Sequence, residues 1–231
     1  MNNKILIRAY IILFLIVSTS VVSVSGDGKL PDGFVYLDEV IKDVVIDLRY
    51  AGDNNFVGKP VDGYESKRCI ISADAAYALK RVQTKLKIFG LGLKIFDAYR
   101  PQQAVDHFVR WAADTLDTKM KQQYYPSVKK SQLFDKGYIA EKSGHSRGST
   151  ADLTLIDLTT GEELDMGSSF DFFDEMSHGN YSGVTGQQRA NRLLLNLVMT
   201  EYGFNPYSNE WWHFTLSNEP FPETYFNFVI K

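Results

Sequence analysis

The sequence predicts a single α+β domain with a mainly antiparallel central sheet flanked by helices. Three observations support this prediction. At 231 residues, with 44% hydrophobic and 13% aromatic residues, the chain is long enough to bury one substantial core. Segments of strand character alternate with segments of helical periodicity. No dinucleotide-binding glycine fingerprint or internal repeat points to another architecture.

The first predicted strand covers residues 44–50, which are rich in β-branched side chains and end at the turn 51–55. Ser72 is placed to cap a helix that runs to about Phe89. The apolar residues of that helix recur at spacings of three and four, so one face of it should lie in the core.

Residues 91–96 predict a buried strand, and Pro101 can begin a helix that runs to about Asp114. Arg100 therefore lies where a strand gives way to a helix. Another short helix is predicted at 129–134.

Residues 151–158 alternate in the manner of a strand, which places Asp152 on the face opposite Ala151 and Leu153. A long loop, 165–183, follows this strand.

Thr185 and Gln188 form a predicted capping box that opens a helix to about Tyr202. Residues 209–216 predict the last strand, and we expect a metal site on the sheet.

The first 26 residues follow the pattern of a secretory signal peptide. Lys4 and Arg8 precede the apolar stretch 9–17, and the small-residue run 18–26 follows it. This stretch is shorter than the ~20 residues that a membrane-spanning helix needs, so we expect cleavage and no stable membrane span afterwards. The mature domain, 27–231, is therefore expected to be exported to the periplasm or cell envelope.

Charge and cysteine content exclude several classes of partner and site. The formal net charge is −3, and the basic residues are scattered, so we expect no nucleic-acid partner. Cys69 is the single cysteine, which rules out an intramolecular disulfide and a thiolate zinc cluster, and its apolar neighbours predict burial. The oligomeric state is left open.

Two of the four histidines lie in segments that suggest metal binding. His145 lies in the polar, glycine-rich segment 143–149, just before the strand that carries Asp152, and His213 follows two tryptophans. Two imidazoles and one carboxylate form a three-ligand zinc set with an open fourth position, as in catalytic sites. Taken alone, each motif also fits a hydrogen-bonded loop or a surface pair.

Glu210 lies three residues before His213 and can serve as the general base toward an attacking water. Residues at this spacing point to opposite faces of a regular strand, so a turn or bulge is expected between them.

Together these motifs resemble the zinc D-alanyl-D-alanine dipeptidases of the VanX type over nearly all of the mature chain. Ordered motifs at consistent spacing carry the resemblance, namely 58–64 (GKPVDGY), 97–101 (DAYRP), 143–149 (SGHSRGS), 152–154 (DLT), 166–172 (MGSSFDF) and 210–213 (EWWH). Ala98 and Gly144 depart from the family pattern, which has Gly and Ser there. Neither departure removes a functional side chain.

The resemblance implies a role for each of seven residues. These are the zinc ligands His145, Asp152 and His213, the general base Glu210, Arg100 as the residue that stabilises the reacting carbonyl, and Ser143 and Asp171 as residues that grip the dipeptide. The implied cofactor is one Zn²⁺ per chain, and the implied partner is a small D,D-dipeptide.

The expected function is zinc-dependent hydrolysis of D-alanyl-D-alanine to two D-alanines, in cell-wall turnover or D-alanine recycling. Two alternatives remain open. One is a D,D-carboxypeptidase that acts on longer peptidoglycan stem peptides. The other is a non-catalytic, zinc-bearing binding module of the cell envelope.

Overall fold

The computed structural model describes residues 29–231, so the predicted signal peptide lies outside the described residues. The strands in that range are β1 (Phe34–Tyr36), β2 (Val45–Ile46), β3 (Ile70–Ser72), β4 (Leu91–Asp97), β5 (Thr150–Asp157), β6 (Phe204–Tyr207) and β7 (Glu210–Leu216). The α-helices are α1 (Leu37–Val40), α2 (Ala73–Lys87), α3 (Gln102–Ala113), α4 (Lys121–Tyr124) and α5 (Gly186–Glu201). None of the helices in this part of the chain has both the length and the apolar character needed to cross a membrane.

Five strands form the central sheet in the order β2-β4-β5-β7-β6. The β2–β4 pair is parallel, and the other three pairs are antiparallel. The strands β1 and β3 form a separate antiparallel pair. The predicted class, α+β with a mainly antiparallel sheet, is therefore confirmed.

The core lies between the sheet and the helices. Residues 150–156 of β5, a central strand, are buried. On α2, the apolar side chains Leu79, Val82 and Leu86 are buried, and α2 contacts β4 while α5 contacts β6. The three-and-four spacing of apolar residues on α2 therefore marks its core face, as predicted.

Local capping chemistry fixes the starts of the two longest helices. The Ser72 side chain accepts a hydrogen bond from the backbone N–H of Ala75 at 3.4 Å. Thr185 and Gln188 exchange the two hydrogen bonds of a capping box. Both predicted N-caps are confirmed, because these side chains satisfy N–H groups that have no partner within the helix.

The first predicted strand was too long. Only Val45–Ile46 form β2, and a 3-10 turn at Arg49–Ala51 follows. In this turn the ring of Tyr50 is buried and its hydroxyl donates to Asp171, a long-range contact that overrides the local β propensity.

Candidate functional site

A row of polar side chains crosses three adjacent strands. Asp152 on β5 pairs with His213 on β7 and with Asp97 on β4. The register of β4 shifts between Ile95 and Asp97, so that Asp97, in place of Phe96, is opposite Asp152. Opposed residues lie on the same face of a sheet, so the pairing itself brings these three side chains together.

His145 enters from a 3-10 turn, Gly144–Arg147, immediately before β5. The Ser143 hydroxyl caps this turn by accepting from the backbone N–H of His145 at 3.3 Å. The Nδ1 atom of His145 lies 2.7 Å from the carbonyl oxygen of Ala98. A proton on Nδ1 therefore makes that hydrogen bond and leaves the Nε2 lone pair free to bind a metal.

The three predicted ligands converge with the spacing of a metal site. His145 Nε2 lies 3.3 Å from His213 Nδ1 and 3.2 Å from Asp152 Oδ2. His213 Nδ1 lies 3.1 Å from Asp152 Oδ1. Ligand atoms about 2.0–2.1 Å from a tetrahedral zinc ion are about 3.3–3.4 Å apart. The residues therefore fit a divalent metal ion.

The state of Asp152 supports the same conclusion. Its Oδ1 atom is buried and accepts no hydrogen bond from the described residues. Burial alone would raise the pKa of Asp152, but the neighbouring imidazoles of His145 and His213 hold it well below its usual range. A buried carboxylate with an unmet oxygen provides the negative charge and the free lone pair that a cation needs.

Glu210 faces the same cluster from the start of β7. Its Oε2 atom lies 3.5 Å from Nδ1 of His213. The β6–β7 pairing jumps from Pro206 opposite Phe214 to Tyr207 opposite Glu210. This irregularity is the one expected between Glu210 and His213, and it allows both side chains to face the site. Burial, with the nearby carboxylates of Asp152 and Asp171, raises the pKa of Glu210 well above its usual range.

Arg100 lies between two carboxylates and two rings. Its Nε donates to Asp97 Oδ2 at 2.8 Å, and its Nη2 donates to Asp152 Oδ2 at 3.3 Å. The guanidinium carbon lies 5.0 Å from the ring centroid of Tyr50 and 5.2 Å from that of Phe108. The guanidinium is thus held by ion pairs and cation–π contacts, with an orientation set before any ligand arrives.

Asp171 projects from the long loop before α5. It is the non-glycine residue with positive φ among those described, at 60°. The Tyr50 hydroxyl donates to its two carboxylate oxygens, at 2.9 and 3.2 Å. Burial and the nearby Asp152 carboxylate raise the pKa of Asp171 well above its usual range. A cationic ligand group placed beside Asp171 would stabilise its ionised carboxylate and so offset the cost of burying that charge.

One cavity of about 270 Å³ unites the site. All seven residues singled out from the sequence line it, namely Arg100, Ser143, His145, Asp152, Asp171, Glu210 and His213.

The other two histidines lie elsewhere. His107 accepts the backbone N–H of Asp62 at 3.1 Å, and neither it nor His178 belongs to the metal cluster. Cys69 is buried, as predicted.

Sequence reasoning missed three residues that support the site. Asp97 binds Arg100, Tyr64 donates to Asp97 Oδ1 at 2.6 Å, and Tyr50 binds Asp171. Asp97 and Tyr64 lie inside motifs that carried the resemblance, and the three-residue spacing of Asp97 from Arg100 was the available signal. No local pattern marked Tyr50.

Comparisons with known proteins agree with this geometry. A peptidase M15 family described as D-Ala-D-Ala dipeptidase matches residues 31–231. A D-alanyl-D-alanine dipeptidase of Enterococcus faecalis is 48% identical over 202 residues, which cover 87% of this chain and 100% of the relative. The dipeptidase of the same name from Enterococcus faecium is 45% identical over 199 residues, 86% of this chain and 98% of the relative. That of Streptomyces coelicolor is 45% identical over 197 residues, 85% of this chain and 98% of the relative.

Proposed function

Because the chain belongs to the D-Ala-D-Ala dipeptidase family of metallopeptidases, we propose that it hydrolyses D-alanyl-D-alanine to two D-alanines with one zinc ion. The observation that carries this proposal is the convergence of His145, Asp152 and His213, whose ligand atoms all lie within 4.8 Å of one another. We propose zinc as the metal because two imidazoles and one carboxylate with an open position are a common catalytic zinc set.

When bound, the zinc ion would polarise the substrate carbonyl and lower the pKa of an attacking water. Glu210 accepts the proton of that water on its carboxylate and then donates it to the nitrogen of the leaving D-alanine. Glu210 is placed for this exchange, because its carboxylate faces the metal cluster, 3.5 Å from Nδ1 of His213.

Arg100 donates to the carbonyl oxygen as negative charge grows on it. Its orientation is fixed by Asp97, so the donor needs little reorganisation during the reaction. Because the charge is larger in the transition state than in the substrate, this interaction accelerates the chemical step.

The two ends of the dipeptide require recognition of opposite charges. Asp171 receives the free ammonium, which compensates its burial beside Asp152. Ser143, on the turn that carries His145, contributes a hydroxyl to hold the dipeptide.

The cavity of about 270 Å³ is smaller than the roughly 300–1,000 Å³ of pockets that bind drug-sized ligands. A volume of this size accommodates a small ligand such as a dipeptide.

The test is the release of D-alanine from a substrate panel by the zinc-loaded protein. Free D-alanyl-D-alanine should be cleaved in preference to its L,L and mixed stereoisomers and to an N-acylated stem peptide. Preference for the acylated peptide would support a carboxypeptidase instead. A zinc-replete protein that cleaves neither substrate would support a binding module.

The signal-peptide pattern within residues 1–26 supports export of this activity to the cell envelope. There the enzyme would meet dipeptide released by wall turnover, which favours D-alanine recycling over antibiotic resistance. The test is N-terminal sequencing of the protein from fractionated cells. A cytoplasmic protein with an intact N-terminus would argue against export.

A further inference from the structure

The segment 166–178, here called the Asp171 loop, is closed at its base by one buried arginine on α5. Arg192 Nε donates to the carbonyl oxygen of Met166 at 2.6 Å, at the start of the loop. Its Nη2 donates to Met176 O and its Nη1 to His178 O, each at 2.9 Å, at the end of the loop. A single planar guanidinium therefore joins both ends of the loop.

The hydrogen bonds of the Arg192 side chain go to backbone carbonyl oxygens. The residue is 4% exposed, and the Asp165 carboxylate acts on its charge only from beyond the 4.0 Å of an ion pair. Burying a guanidinium is costly unless it is hydrogen-bonded, and here each of its three nitrogens donates to a backbone carbonyl. The arginine thus acts on the backbone of the loop and does not serve as half of an ion pair.

Further hydrogen bonds carry this restraint toward Asp171. Ser177 Oγ donates to the carbonyl oxygen of Phe172 at 2.5 Å and lies 3.0 Å from Ser168 Oγ. Trp211 Nε1, next to Glu210 on β7, donates to Ser168 Oγ at 2.9 Å. The loop is therefore tied to the strand that carries the general base.

The backbone at the tip of the loop needs such restraint. The φ of 60° at Asp171 lies in the left-handed region, which is unfavourable for a non-glycine residue. A residue keeps this conformation only when its surroundings impose it.

We propose that Arg192 is a positioning residue that closes the Asp171 loop and thereby holds the Asp171 carboxylate where the substrate ammonium binds. This proposal rests on the proposed function, because it assumes that Asp171 receives the ammonium. Arg192 lines the neighbouring cavity behind Glu210 and not the one that holds the metal cluster, so it acts through the loop.

The test compares Arg192→Lys and Arg192→Gln with a matched control, Arg189→Gln. Arg189 lies one turn earlier on α5 and donates to the carbonyl oxygens of Ser182 and Val184, outside the Asp171 loop. Lysine keeps the charge but presents a compact ammonium that cannot reproduce the planar fork, so it should not restore function fully.

The kinetic readout separates positioning from general damage. For D-alanyl-D-alanine, the Arg192 variants should raise KM about 10- to 100-fold with kcat within about threefold. The inhibition constant of propionyl-D-alanine, the same molecule without its amino group, should stay within about twofold because it makes no ammonium contact with Asp171. Equal weakening of both molecules would contradict the proposal, as would an unchanged KM.

Hydrogen exchange of the metal-loaded protein gives a readout independent of activity. Backbone amides of residues 169–174 should exchange at least about tenfold faster in Arg192→Gln than in the parent or in Arg189→Gln. Unchanged exchange would overturn the proposal. If the parent released no D-alanine, the proposed function would fail, while the exchange result would still decide whether Arg192 holds the loop.

A second variant covers the case in which Arg192→Gln does not fold. Ser177→Ala removes the hydrogen bonds to Phe172 O and to Ser168 Oγ without burying a new group. It should raise KM in the same direction by a smaller factor and leave the inhibition constant of propionyl-D-alanine unchanged. An unchanged KM in this variant and in Arg192→Lys would contradict the proposal.

Discussion

Asp152 and His213 lie directly opposite each other on β5 and β7, and Asp152 Oδ1 is 3.1 Å from Nδ1 of His213. The pairing of two antiparallel strands therefore sets the separation of two proposed metal ligands. The remaining ligand, His145, comes from the turn that precedes β5 and is oriented by Ala98.

Asp152→Asn should remove metal binding while keeping the fold. An amide is neutral and a weaker ligand, and it cannot balance a divalent ion among buried groups. We expect less than about one tenth of the parent zinc content after dialysis, measured by elemental analysis. The control is Asp157→Asn at the half-buried far end of the same strand. Full zinc content in Asp152→Asn would argue against this ligand set.

Glu210→Gln should abolish proton transfer without releasing the metal. General acid–base catalysis typically contributes 10²- to 10⁴-fold, so kcat should fall by about that factor with zinc content unchanged. Glu201→Gln, at the exposed end of α5, should behave as the parent. Near-parental kcat in a zinc-loaded Glu210→Gln protein would rule out Glu210 as the base.

Arg100→Lys should slow the chemical step more than it weakens substrate binding. Lysine cannot reproduce the hydrogen bonds of the guanidinium to Asp97 and Asp152, so the donor loses its fixed orientation. Loss of one such donor costs about 10²- to 10³-fold in kcat. Steady-state kinetics will test this, and a change confined to KM would assign Arg100 to substrate binding alone.

Acid should destabilise the fold through His107. Burial lowers the pKa of His107 despite the nearby carboxylate of Asp62. The unfolded chain, with a histidine pKa of about 6.5, then takes up this proton before the folded one does. The free energy of unfolding should therefore fall as pH drops below about 6.5 and level off below the folded-state pKa.

His107→Asn tests this predicted pH dependence of the free energy of unfolding. The asparagine oxygen can accept the backbone N–H of Asp62 without titrating. Urea unfolding of chelator-treated protein at several pH values between 7.5 and 5 should give a flatter pH dependence for the variant. Parallel curves for the two proteins would show that His107 does not contribute.

The proposed metal-binding and catalytic residues were easier to predict from the sequence than the residues that hold them in place. Zinc-binding and catalytic side chains must be of particular types, so His145 and Glu210 stand out in polar or aromatic surroundings. Supporting residues act through geometry. Arg192 lies within an amphipathic helix and looks like any surface arginine, until three carbonyls 14 to 26 residues away are seen to meet it.

The elements that were missed depend on pairing more than on composition. The strand β6, Phe204–Tyr207, contains Pro206 and has no apolar alternation, yet it pairs along β7. The β1–β3 pair consists of two three-residue strands, too short for a periodic signal. The sequence neighbours of Tyr50 favour a strand, and its contact with Asp171 becomes visible only in the folded chain.

Because Asp152 and His213 lie opposite each other, strand pairing has to precede completion of the proposed metal site. In chain order His213 is the last of the three proposed ligands, and it reaches the other two only after β7 has paired with β5. A nascent chain that ends before residue 213 would therefore lack one of the three proposed metal ligands. Loading would follow synthesis of the last strand of the sheet, so the metal content of the protein would report whether its folding has finished.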